Sequence, residues 1–142
     1  MSTAAVVLVD TGPLVALFDP SDADHERCKQ ALAQLRRRRR VTSLAVITEA
    51  TYLLSFSARA QRALLAFIAA GAVEVAEFGA AHVSRAAALM ERFQSLPMDF
   101  ADATLVVLAE QFLTTSVLTL DARDFSVYRV GRRAFRVTPA PA

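Results

Sequence analysis

Residues 6–10 read VVLVD, and TGPLVALF follows at 11–18. Four consecutive aliphatic side chains without polar alternation describe a strand covered on both faces, as in parallel sheets packed between helices. The run ends on a carboxylate, Asp10, before a Thr-Gly-Pro turn and a short helical start. In an open parallel sheet the carboxyl ends of the strands form the edge where ligands bind. The fold class and the first candidate site residue therefore come from the same short stretch.

The pattern continues along the chain. SDADHERCKQALAQLRRRRR (21–40) reads as a helix with acids in its first turn and arginines in its last, which suits the helix dipole. VTS (41–43) is a second short strand. LAVITEATYLLSF (44–56) and ARAQRALLAFIAAG (58–71) read as helices, the second closed by Gly71. AVEVAEF (72–78) alternates as a third strand, and GAAHVSRAAALMERFQSL (79–96) and DFADATLVVLAEQF (99–112) are helical. SVLTLD (116–121) is a fourth strand and FRVTP (135–139) a fifth. Strands alternating with helices predict a mostly parallel sheet with helices on both faces.

Length and composition narrow the function. The 142 residues amount to one ordinary domain, 1–142, with no internal repeat and no linker. Hydrophobic residues make up 54% and charged residues 21%, which excludes general disorder. A net charge of +2 does not by itself mark a nucleic-acid binder, while the sequence pI near 9.2 permits one. Cys28 is the sole cysteine, so no intrachain disulfide forms. MSTAAVVLVD has no basic leader, and ALLAFIAAGAV (63–73) is too short to span a bilayer, so a cytoplasmic protein without a membrane is expected.

The acids are placed where a solvated surface would not put them. Asp10 and Asp121 end two strands far apart in sequence, at the binding edge of the sheet. Glu49 sits in an otherwise apolar helix. Asp99 and Asp102, about 60° apart around a helix axis, share a face at a helix start. Asp124 follows Asp121 by three residues. Two such charges about 4 Å apart repel by roughly 4 kcal/mol at an effective dielectric of 20. Divalent cations offset that repulsion. Hard oxygen ligands select Mg²⁺ or Mn²⁺, which activate water toward a phosphoryl group. Asp99, close behind Pro97, serves equally well as a helix cap. Asp102, between two alanines, is better placed for a cation. Asp10 as a turn residue and Glu49 as a solvated helix residue are each plausible alone, but not all four together.

At these residues the chain resembles PIN-domain ribonucleases of the kind that form the toxin of VapBC toxin–antitoxin pairs. The resemblance lies in VLVDTGPLVALF, TSLAVITEATYLL, MDFADATLVVLAE and VLTLDARDFSVYR, in the family's order from Val7 to Arg129. It implies a three-layer α/β/α sandwich and Mg²⁺- or Mn²⁺-dependent cleavage of RNA. Carried over by position, the family's acidic quartet falls on Asp10, Glu49, Asp102 and Asp121, with Asp10, Asp102 and Asp121 as metal ligands. Thr11 and Thr119 match accessory positions, and Asp99 and Asp124 stand beside the quartet. An antitoxin partner and a homodimer are implied as well. An RNA-processing nuclease without an antitoxin and a non-catalytic binding module of the same fold are the alternatives.

Other chemistries fit less well. A haloacid-dehalogenase phosphatase needs an aspartate where Gly12 stands, and a receiver domain needs a lysine near the site, whereas Lys29 lies in another segment. No phosphate-cradling glycine-rich loop occurs, and His25 and His82 lack metal-ligand spacing. Arg36 to Arg40 read first as the solvated end of a helix, because a five-residue run points all around the axis, and second as a phosphate-contacting patch that helps hold RNA. Arg123, Arg129, Arg132 and Arg133, near the acids in sequence, are better placed to contact RNA.

Overall fold

The computed structural model describes residues 5–141. In chain order its elements are β1 (Val6–Val9), α1 (Thr11–Phe18), α2 (His25–Gln34), β2 (Arg39–Thr42), α3 (Leu44–Leu53), α4 (Ala58–Ala69) and β3 (Glu74–Val75). Then follow α5 (Ala80–Arg92), α6 (Phe100–Phe112), β4 (Ser116–Leu118), α7 (Ala122–Phe125), β5 (Arg129–Val130), β6 (Arg133–Ala134) and β7 (Arg136–Thr138).

Strand β1 is buried along its whole length, as its unbroken apolar run requires. It lies at the centre of a five-stranded sheet of order β3-β2-β1-β4-β7, in which every neighbouring pair is parallel. The chain builds outward from β1 to β2 and β3, then returns to the other side of β1 with β4 and β7. The order therefore reverses between β1 and β4, and the crevice beyond their carboxyl ends is where such sheets bind ligands.

Helix α6 is apolar all round and buried as such a helix must be: Ala101 and every residue from Ala103 to Ala109 are in the interior. Its N-terminus is tied to that of α3 by the Ser43 hydroxyl, which lies 2.8 Å from the Thr104 hydroxyl and caps α3 at Val46 N. These contacts bring Asp102 on α6 and Glu49 on α3 to one end of the molecule. Gly12 allows a further approach. A Cβ there would lie 3.3 Å from the Leu120 Cβ, so glycine lets α1 pass this close to the segment that carries Asp121 without pushing Leu120 aside by a few tenths of an ångström.

Three features differ from the sequence expectation. Helix α2 stops at Gln34, so the arginine run is no helix end. Arg36 to Arg38 form the turn, and Arg39 and Arg40 pair with Val6 and Val7 as the start of β2. Burial of Leu35 and the pairing with β1 outweigh arginine's good helix propensity. Strand β3 keeps only two residues of the longer alternating stretch. Helix α7 and the antiparallel β5–β6 hairpin occupy a region with no clear period in sequence. Gly71 does end α4, at φ +89. Among the described residues, no helix is long and apolar enough to cross a membrane.

Candidate active site

Asp10 directly follows β1, and its N–H extends the ladder to Leu118 O at 2.9 Å. The side chain is buried, 6% exposed. Thr119, just past β4, donates its hydroxyl to Asp10 Oδ2 at 2.7 Å, and Thr119 Oγ1 itself accepts from Asp121 N at 2.9 Å. One threonine thus joins Asp10, at the end of β1, to Asp121, three residues past β4, and fixes the rotation of the first. Asp121 in turn accepts a long 3.4 Å bond from Asp124 N at the start of α7.

Asp102 stands in the first turn of α6, and one of its oxygens, Oδ2, accepts from the Tyr128 hydroxyl at 3.1 Å. Tyr128 is fully buried, edge-on to Phe93 and Phe125. Asp99 caps the same helix, accepting from Asp102 N at 2.8 Å. Asp99 is therefore a cap, and it also lines the cavity into which the other acids face. That cavity, about 370 Å³, is walled by Asp10, Glu49, Asp99, Asp102, Asp121 and Asp124, together with Thr11 and Gly12.

The electrostatics follow from this crowding. Burial pushes the Asp10 carboxyl from 3.8 up to about 6; Glu49 and Asp121 add to the rise, while Thr119 and the Thr11 N–H oppose it. Asp102 is pushed to about 8 by burial first, then by Asp99, Asp10 and Asp121, against the Tyr128 hydroxyl. Glu49 is raised by burial and by Asp99, and Asp124 by burial and its contact with Asp121. The Thr11 hydroxyl lies near enough to Glu49 to offset part of its rise. It completes no hydrogen bond of proper geometry and is a buried oxygen without a partner.

The donor set suits a hard cation. It is all oxygen, with no histidine or cysteine on the cavity wall. Among the described residues, no three acidic, histidine or cysteine side chains are drawn together into a ready cage. Mg²⁺ does not demand one: it is commonly held by one or two carboxylates and keeps several waters, which a cavity of this size accommodates.

A PIN-domain family model matches residues 7–131. The chain belongs to the PIN-domain family. It is 35% identical over 136 residues to ribonuclease VapC26 of Mycobacterium tuberculosis, an alignment covering 94% of this chain and all of the relative. The crystal structure of M. tuberculosis VapC20, a sarcin–ricin-loop-cleaving toxin, superposes with a TM-score of 0.72 at 25% identity, covering 78% of this chain and 86% of that one. VapBC2 of Rickettsia felis, crystallised with a DNA fragment from its promoter, superposes at 0.68 with 16% identity, covering 93% and 98%. The parallel sheet with its helices is thus the PIN fold, as the resemblance implied.

The arginines are distributed otherwise than their sequence positions suggest. Arg123 sits beside Asp124 and partly offsets its rise. Arg129 bonds the Ser126 and Tyr128 carbonyls at 2.8 and 2.9 Å, which steadies the loop behind Asp102. Arg132 is exposed at the hairpin turn. Arg133 is not at the acidic edge. The hairpin carries it to a cavity shared with Glu110 and Leu113, at the far end of α6 from Asp102. Nothing local in FSVYR marks Tyr128 as a partner for an acid 26 residues earlier.

The two roles of Asp99 are separable. Asp99→Ala is expected to lower stability by about 1 kcal/mol through loss of the cap and to leave cleavage detectable at high Mn²⁺. Chemical denaturation combined with an RNA-cleavage assay measures both. Complete loss of cleavage at every Mn²⁺ concentration would make Asp99 a primary ligand.

Proposed function

We propose that this PIN-domain chain is a Mg²⁺- or Mn²⁺-dependent endoribonuclease and the toxin of a toxin–antitoxin pair, acting in the cytoplasm. The observation that carries the reading is the single cavity at the β1–β4 crevice with six carboxylates on its wall. Kinship with ribonuclease VapC26 over nearly the whole chain supports RNA as the substrate.

Asp10, Asp102 and Asp121 would hold the cation. A bound Mg²⁺ or Mn²⁺ supplies charge neutralisation, polarisation of a phosphoryl oxygen and a more acidic water. The residues do the rest. Thr119 keeps Asp10 in one rotamer and Tyr128 does the same for Asp102, so neither carboxylate needs to be ordered when substrate arrives. Glu49, half-buried and raised, accepts the proton that the attacking water loses. The Thr11 hydroxyl, buried and unpartnered, is available as a donor to substrate or water.

A free nuclease of this kind requires an inhibitor. Leu44, Tyr52 and Phe100 are exposed around an open apolar cavity of about 660 Å³ that shares Glu49 and Asp99 with the acidic one. A second copy of the chain covers this face in a homodimer, and an antitoxin helix directs an arginine at the carboxylates. The experiment is growth of a bacterial host expressing the wild-type chain beside one expressing Asp10→Asn. Arrest is expected with the first alone, relieved by a co-expressed antitoxin. Equal growth with soluble, abundant wild-type protein would remove the toxin reading and leave an RNA-processing nuclease.

A further inference from the structure

The sheet has a second charged edge, opposite the acids. Arg39 pairs with Val6 at the start of β1, and Ser116 and Arg136 pair at the starts of β4 and β7. The Thr114 hydroxyl bonds Val6 O at 2.7 Å, so the last turn of α6 ends there too. Arg38, in the turn before β2, reaches past β1 and donates to the Ser116 hydroxyl at 3.3 Å. Arg136, exposed and in register with Ser116, leaves the sheet on the same face as that serine, so the edge carries Arg38 and Arg136 on neighbouring strands.

No acid answers them. Among the described residues, ion pairs engage Arg27, Arg39 and Arg85; Arg36, Arg37, Arg38 and Arg136 form none. Arg36 and Arg37 line a concave surface of about 410 Å³ with Ala33 and Gln34. Neighbouring cations without counter-charge repel, and a polyanion removes that repulsion. The guanidinium fork matches phosphate oxygens in pairs. From Asp102 to Leu113, α6 puts roughly 16 Å between the two edges at 1.5 Å per residue.

We infer that this arginine edge binds the phosphate backbone of a folded RNA substrate while the acidic edge cuts it. The inference rests on the ribonuclease reading and extends it to a second surface that holds the substrate's backbone. A stacked tetranucleotide seated among the acids, at about 3.4 Å per nucleotide, does not reach the arginines. The acids repel every phosphate except the one their cation would hold, so a separate cationic surface adds backbone affinity away from the reacting group.

The test uses the full chain with Asp10→Asn, which binds without cutting. Arg36, Arg37, Arg38 and Arg136 are all changed to Gln in one variant and all to Lys in another. Binding to total ribosomal RNA, to duplex DNA and to a tetranucleotide is measured against salt by fluorescence anisotropy. The Gln variant is expected to lose at least about tenfold in ribosomal-RNA affinity at low salt, with the log–log salt slope reduced by roughly 0.7 per lost contact. Its tetranucleotide binding and melting temperature should be unchanged, and the Lys variant should recover most of the slope. An unchanged slope for ribosomal RNA would overturn the inference. So would an equal loss on the tetranucleotide, or a loss confined to duplex DNA. Wild-type cleavage of the same RNA with Mn²⁺ is scored separately: if binding behaves as expected but no RNA is cut, the ribonuclease reading fails and the binding surface stands.

Discussion

Asp102→Asn is expected to abolish RNA cleavage and to raise the melting temperature of the metal-free protein. The two effects share one cause. Burial and three neighbouring acids push Asp102 to about 8, so near neutral pH its charge is costly unless a cation answers it. Asparagine keeps the shape and removes the charge. It also removes an anionic oxygen ligand. Losing even a supporting partner of a ligand commonly costs 10–100-fold, so losing the ligand itself should cost at least about 100-fold in cleavage rate. Thermal melting in EDTA and an RNA-cleavage assay with Mn²⁺ measure the pair. An inactive variant that melts lower than wild type would instead assign Asp102 a structural role, through Tyr128.

The second large effect is a dependence of stability on pH. The folded chain keeps protons on Asp10 and Asp102 up to about 6 and about 8, whereas the unfolded chain releases them near 3.8. Between those values the folded state binds more protons, so stability in EDTA falls as pH rises, and the loss is complete above about 8. Below 3.8 both states are protonated and the contribution is constant. Mn²⁺ competes with those protons, so its stabilisation should be largest at the alkaline end, reaching about 2.7 kcal/mol at a hundred times its dissociation constant. Melting curves at about pH 5 and about pH 8, with EDTA and with Mn²⁺, measure this. Asp102→Asn should flatten the EDTA profile, since it removes the group with the larger rise.

Some of this site was legible in the sequence because its signals are local. A strand covered on both faces carries no polar residue, so an acid closing VVLVD marks both the strand end and the sheet edge. Asp121 is expected to close a strand over 116–121, but β4 ends at Leu118 and Asp121 lies three residues beyond it, at the start of α7, while still lining the same cavity. Asp102 stood out between alanines on a helix that is apolar all round, and the structure does turn it into the acidic cavity. Asp99 was ambiguous for a physical reason: a cap and a cavity-facing acid occupy the same place at a helix start, and here one side chain has both positions.

The unread parts depend on contacts between distant segments. The arginine run has good helix propensity, and only its pairing with Val6 and Val7 makes two of its members a strand. Arg133 lies 12 residues beyond Asp121, yet the β5–β6 hairpin turns it back along α6 to the opposite edge. Tyr128 reaches Asp102 through a cluster of aromatic rings, Phe93, Phe125 and Phe135, drawn from three segments. No periodicity reports such meetings.

The most direct test is to strip the purified protein with EDTA and follow RNA cleavage as Mn²⁺ is restored, for wild type and for Asp10→Asn. If the acids at the β1–β4 crevice hold the working cation, the stripped wild type is inactive and recovers with Mn²⁺, and Asp10→Asn stays inactive at every concentration while remaining folded. Full cleavage by the stripped protein, or equal recovery by the variant, would contradict it.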